Sequence, residues 1–153
     1  MPTSQGPILK ALYTRIAAAM PAPIVTTLVA VGPYMAAEHV VVGVDSTDTQ
    51  PYRTLGKSRK DEAIDISCGI WVEWGNDDFA ERVDRAFAIR VLFEAAIAAD
   101  MTLGMPGHAN VRATVMSGQM IGQYGVDGGG TGVELTVVVH VDASVYNQGA
   151  VTP

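Results

Sequence analysis

Ile64-Asp65-Ile66-Ser67-Cys68-Gly69-Ile70-Trp71-Val72-Glu73-Trp74 alternates along its whole length. Ile64, Ile66, Cys68, Ile70, Val72 and Trp74 share one parity, while Asp65, Ser67, Gly69 and Glu73 share the other. Successive side chains of a β-strand point to opposite faces, so this pattern predicts a strand with one face on a core and the other toward water. Such a strand needs partners, and the flanking sequence supplies them. Upstream, His39-Val40-Val41-Val42-Gly43-Val44 is apolar almost throughout, as a central strand is, and residues 24–31 form another β-rich run beyond Gly32-Pro33. Downstream, residues 110–124 alternate moderately and 132–143 alternate cleanly, with Val133, Leu135, Val137, Val139 and Val141 on one face. The glycine-rich stretch 125–131 between them predicts a hairpin turn.

Two helices complete the pattern. Ile8, Leu12, Ile16 and Met20 recur every fourth position, and Pro7 with Pro21 and Pro23 bounds a helix over about residues 7–20. Residues 79–99 contain neither proline nor glycine, follow N-cap candidates in Gly75-Asn76-Asp77-Asp78, and carry Phe79, Val83, Phe87 and Val91 as an i+4 stripe. Arg82, Arg85 and Arg90 interleave with Glu81, Asp84 and Glu94, which reads as the exposed, ion-paired face of that helix. The order α-β-β-loop-β-α-β-β predicts an α+β fold: a mixed or antiparallel sheet of about five strands, two helices on one face, and a projecting C-terminal hairpin. Residues 1–7 are expected as a flexible arm, 8–145 as a single domain and 146–153 as a tail.

Composition narrows the function. The 153 residues are 48% hydrophobic and 17% charged, which excludes global disorder. A net charge of −6 argues against a general grip on nucleic acid. A single cysteine, Cys68, allows no internal disulfide and, on the apolar parity of its strand, reads as a small buried hydrophobe. Residues 16–44 are rich in alanine and valine, but Pro21, Pro23 and Pro33 interrupt them, so neither a signal peptide nor a membrane span is expected. Residues 45–60 read as a long exposed loop holding Arg53, Lys57, Arg59 and Lys60, four of the ten basic residues. Such a segment suits docking on an acidic neighbour or a DNA backbone.

Catalytic and metal motifs find little to build on. His39, His108 and His140 are far apart in sequence, none four residues from another histidine or cysteine, so no metal is expected. Gly125-Val126-Asp127-Gly128-Gly129-Gly130-Thr131-Gly132 resembles the phosphate loop of acetylglucosamine-type sugar kinases in the actin-like ATPase fold. That loop sits near the start of a large two-lobed protein, whereas about twenty residues follow it here, and no lysine completes a Walker A loop. The turn is therefore expected to be a mechanical hairpin tip, with nucleotide or small-molecule binding at 125–132 as the alternative reading. No enzymatic activity and no cofactor are expected.

Several spaced features together resemble a family. Arg59-Lys60-Asp61-Glu62, the alternation through Ile66-Ser67-Cys68 to Val72-Glu73-Trp74-Gly75, Arg82-x-x-Arg85-Ala86-Phe87, Asp100-x-Thr102-Leu103-Gly104 and the final strand of valines resemble the tail terminator and related minor tail or head-tail joining proteins of long-tailed bacteriophages infecting actinobacteria. The resemblance covers roughly residues 8–145 and departs at Ala36-Ala37-Glu38-His39, where relatives carry a more acidic, Gly/Pro-rich stretch. It implies a virion subunit of the tail neck, assembled in the host cytoplasm, that forms a ring, usually a hexamer. That ring caps the tail tube, stops its growth and joins it to the head-completion or connector protein, while DNA passes through the lumen without specific binding. The candidate interaction residues are Arg53, Lys57, Arg59 and Lys60 in the basic segment and Asp127, Gly128 and Gly129 in the glycine-rich turn. A dimeric interaction module is the remaining alternative.

Overall fold

A computed structural model describes residues 5–28, 37–49, 59–73, 79–105, 111–125 and 131–146. The elements are α1 (Gln5–Ala19), β1 (Val25–Leu28), β2 (Glu38–Thr49), β3 (Arg59–Glu73), α2 (Phe79–Ala99), β4 (Arg112–Gly125) and β5 (Thr131–Tyr146). One mixed sheet takes the order β1-β2-β3-β5-β4, with β1 parallel to β2 and the remaining pairs antiparallel. This is the α+β architecture that the alternation and the two helical stripes require.

The core lies between one face of the sheet and both helices. Ile64, Ile66, Cys68, Ile70 and Val72 of β3 and Val133, Leu135, Val137, Val139 and Val141 of β5 are buried there. Ile8, Leu12 and Ile16 of α1 and Met20 just after it join the same cluster, as do Ala86, Ile89, Phe93, Ala96 and Ile97 of α2. Complete burial of a side chain such as Phe93 or Ile66 stabilises the fold by roughly 1.5–3 kcal/mol. The α1 helix starts at Gln5, two residues before Pro7, because first-turn N–H groups need no intrahelical partner and proline is tolerated there. Arg15 Nε donates to the Ala96 carbonyl at 3.0 Å, fastening α1 to the last turn of α2.

Asp100 ends α2. Its carboxylate accepts hydrogen bonds from the Thr102 N–H at 3.0 Å, the Thr102 hydroxyl at 2.5 Å and the Gly104 N–H at 3.0 Å. These bonds, the Thr102 hydroxyl foremost, hold the Asp100 carboxyl below the usual carboxylate range. The chain turns at Leu103 (φ 55°) and Gly104 (φ 71°), so Asp100-Met-Thr-Leu-Gly104 is a capped reversal that leads into β4.

Three expectations are corrected. Residues 45–49 are not loop but the second half of β2, paired with 63–67 of β3. Residues 59–63 likewise extend β3 on the near side of its apolar alternation. Backbone hydrogen bonds satisfy these stretches whatever their polarity, and β-branched Thr47 and Thr49 suit a pleated strand. The longer β3 also removes the projecting hairpin: it accompanies β5 from Arg59↔Tyr146 to Glu73↔Gly132, so the described part of the β4–β5 hairpin lies flush with the sheet.

The two halves of β2 meet at a bulge. Val42 pairs with Cys68 and Asp45 with Ser67, leaving Gly43 and Val44 as extra residues. Gly43 has φ +81°, and a Cβ there would lie 2.8 Å from Leu9 Cδ1. Glycine is thus needed both for the backbone turn and for the approach of α1.

Candidate assembly surface

The α2 helix distributes its residues against the expected pattern. Its buried side is Arg82, Ala86, Ile89, Phe93, Ala96 and Ile97, and Arg82 is only 1% exposed. Phe87 is 42% exposed and Val91 64%, with Ala88, Ala95 and Ala98 also outward. Phe79 and Val83 are half-buried against the core, so the i+4 stripe leaves the core after its first two members. Arg82 and Arg85, expected on a solvated face, lie toward the fold, while Arg90 makes an i,i+4 pair of the expected kind. Arg85 Nε donates to Glu38 Oε2 at 2.7 Å, and Glu38, at the start of β2, is buried. Arg90 pairs with Glu94 at 2.8 Å along the helix.

The cause is geometric. Both stripes of a long helix satisfy the same periodicity, and packing against the sheet decides which of them is buried. Ala86 and Ala96 lie with Ile89 and Phe93 on the buried side, while Arg85 reaches from the flank to Glu38 of β2. The outward stripe continues toward a shallow groove of about 340 Å³ between the end of α2 and β4, lined by Glu94, Ile97, Ala98, Met101, Ala113, Thr114 and Val115. Beyond it, Met116 is 63% exposed at a bulge in β4. Phe87, Val91 and Met116 are thus large apolar side chains left exposed by the fold.

Among the described residues β1 pairs with β2 alone and β4 with β5 alone, so each has one backbone edge free to receive another strand. The face away from the helices is polar. There His140 lies between Asp65 and Asp142, Ser144 donates to Asp61 at 2.9 Å, and Trp71 covers Gly132. His39 bonds the Thr27 hydroxyl through Nε2 at 2.8 Å, and burial pushes its pKa below the ordinary imidazole value.

The candidate interaction residues are not brought together. Arg59 and Lys60 open β3, opposite Tyr146 and Val145, rather than sitting in a loop. Arg53, Lys57, Asp127, Gly128 and Gly129 lie outside the described residues. Cys68 is buried in the core, and its thiol is pushed up to about 11 by desolvation, slightly offset by a hydrogen bond from the Gly43 backbone. Among the described residues no group of three His, Cys, Asp or Glu side chains is placed to hold a metal ion, and no helix is long and apolar enough to cross a membrane.

Sequence reasoning missed two groupings. The outward stripe of α2 is visible in the sequence as the i+4 spacing of Phe87 and Val91, but the spacing does not say that it faces outward. The Asp65–His140–Asp142 cluster was visible only as polar residues at alternate positions of two strands, since their meeting depends on the β3–β5 register. Comparison with protein families finds no matching family model, and comparison with curated proteins finds no match.

Proposed function

We propose that this protein is a structural subunit that self-associates into a ring and, as the resemblance to phage tail terminators implies, caps the tail tube and joins it to the head. The observation that carries self-association is the outward apolar stripe of α2, on a helix whose Arg82 and Arg85 are turned toward the fold. Exposing Phe87 and Val91 to water forfeits burial that a neighbouring subunit restores. The open edges of β1 and β4 add backbone groups that a second chain can satisfy, and a contact between two different surfaces of adjacent copies closes into a ring when the rotation permits. Tube proteins, the head-completion protein and passing DNA are the partners this reading names.

Light scattering and negative-stain microscopy of the purified protein test it. A ring with a central hole is expected, and Phe87→Asp with Val91→Asp releases monomers that keep the native circular dichroism spectrum. A monodisperse monomer at high concentration overturns the ring. In a phage lacking the protein, overlong headless tails are expected; normal tails joined to heads refute the capping role.

A further inference from the structure

The polar face of the sheet carries a cluster that the assembly reading does not use. Asp65 of β3 and His140 of β5 are directly opposite one another, and Asp142 follows two residues along β5 on the same face. His140 Nδ1 lies 2.6 Å from Asp65 Oδ1, and His140 Nε2 lies 3.1 Å from Asp142 Oδ1. An ionised carboxylate only accepts, so both contacts are hydrogen bonds only while the ring carries both protons. On β4, Arg112 stands opposite Asp142 and Thr114 opposite His140. On β2, Thr47 stands opposite Asp65 and Asp45 opposite Ser67. Among the residues whose side chains are described, the charged ones around the ring are Asp65, Asp142 and Arg112, and Asp45 holds a register position one row away.

We propose that these residues form a proton-operated exchange, in which Asp142 is held by His140 while the ring is charged and passes to Arg112 when the ring is neutral. The shorter contact is to Asp65, so the remaining proton of the neutral ring stays on Nδ1. Nε2 then presents a lone pair to an Asp142 oxygen, and two acceptors at 3.1 Å repel. The Asp142 side chain is 64% exposed, and Arg112, also exposed, holds the directly opposite position on β4. The exchange moves a link from within β5 to the β4–β5 pair, fastening the start of the edge strand.

The hydrogen bond to Asp65 raises the His140 pKa above its ordinary 6.5, burial opposes this, and Asp142 adds to the rise. The His140 contacts therefore contribute their stability in full below the ordinary imidazole pKa. They lose it as pH rises through the raised value, and the Arg112 contact gains over the same interval.

The test is thermal unfolding of the full chain from pH 5 to 9, alongside an NMR titration of the His140 ring. Expected are a His140 midpoint above 6.5 that falls in Asp65→Asn, and a melting-temperature loss in Arg112→Gln that grows as pH rises through that midpoint. In Asp142→Asn the Arg112→Gln loss is expected to be the same at every pH. An Arg112→Gln loss independent of pH in the native background, or one whose pH dependence survives Asp142→Asn, overturns the exchange. If a variant fails to fold, the ¹³Cγ shift of Asp142 in the unaltered protein decides: a step at the His140 midpoint supports the proposal, and none refutes it.

Discussion

Replacing Gly43 by alanine acts on the bulge that joins the two halves of β2, through two separable costs. The first is conformational: at φ +81° an L-residue sits in the left-handed region, a penalty of about 1–2 kcal/mol. The second is steric. The new Cβ lies 2.8 Å from Leu9 Cδ1 and 3.4 Å from Cδ2, so Leu9 must leave its rotamer, at about 0.5–1.5 kcal/mol. Alanine also restricts the unfolded chain, returning about 0.4–1 kcal/mol. The net loss is about 2 kcal/mol, or on the order of 6 °C in melting temperature for a chain of this size. Urea unfolding followed by tryptophan fluorescence measures it, with an unchanged slope as the sign that only the native state has altered. The two costs separate in a double-mutant cycle: Leu9→Ala recovers the steric part in the Gly43→Ala background and leaves the conformational part. Gly43→Asn should cost less than alanine in backbone strain, since asparagine tolerates the left-handed region, yet still displace Leu9. A neutral or stabilising Gly43→Ala, or a cycle with no coupling between positions 9 and 43, would refute the reasoning.

Other outcomes follow from single contacts. Gly132→Ala brings a Cβ into clash with the Trp71 indole ring, so the ring is displaced and the tryptophan emission shifts to the red; an unaltered spectrum counts against the packing of Trp71 over β5. Phe93→Ala removes a fully buried aromatic side chain between α2 and the sheet and is expected to cost about 3–5 kcal/mol in chemical denaturation. The Glu38–Arg85 pair should respond unequally. Arg85→Ala strands a buried carboxylate and costs about 2–4 kcal/mol, whereas Glu38→Ala leaves a half-exposed guanidinium that water can serve and costs less. The Cys68 thiol, with a pKa raised to about 11 and no exposure, should react with a thiol reagent only as fast as the protein opens, and immediate labelling in the native state would contradict that.

The sequence by itself determined the architecture, because hydrophobic periodicity is a local record of which side of an element meets the core. Ile64, Ile66, Cys68, Ile70 and Val72 had to share a face, and Ile8, Leu12, Ile16 and Met20 had to form a stripe, whatever they packed against. Where periodicity was silent the reading erred. Residues 45–49 and 59–63 are polar strands, legible only once β3 and β5 provide a ladder for their backbone. Where periodicity was double, it could not choose. The α2 helix carries two stripes, and the i+4 spacing of Phe87 and Val91 is as regular as that of the side that faces the core. Only docking against the sheet selected the side holding Ile89, Phe93 and Ile97, and left Phe87 and Val91 outside. The polar cluster needed still more. Asp65 is 75 residues from His140 in sequence, and their 2.6 Å contact exists because the β3–β5 register sets them opposite each other, a choice made by the two buried faces together rather than by either strand alone.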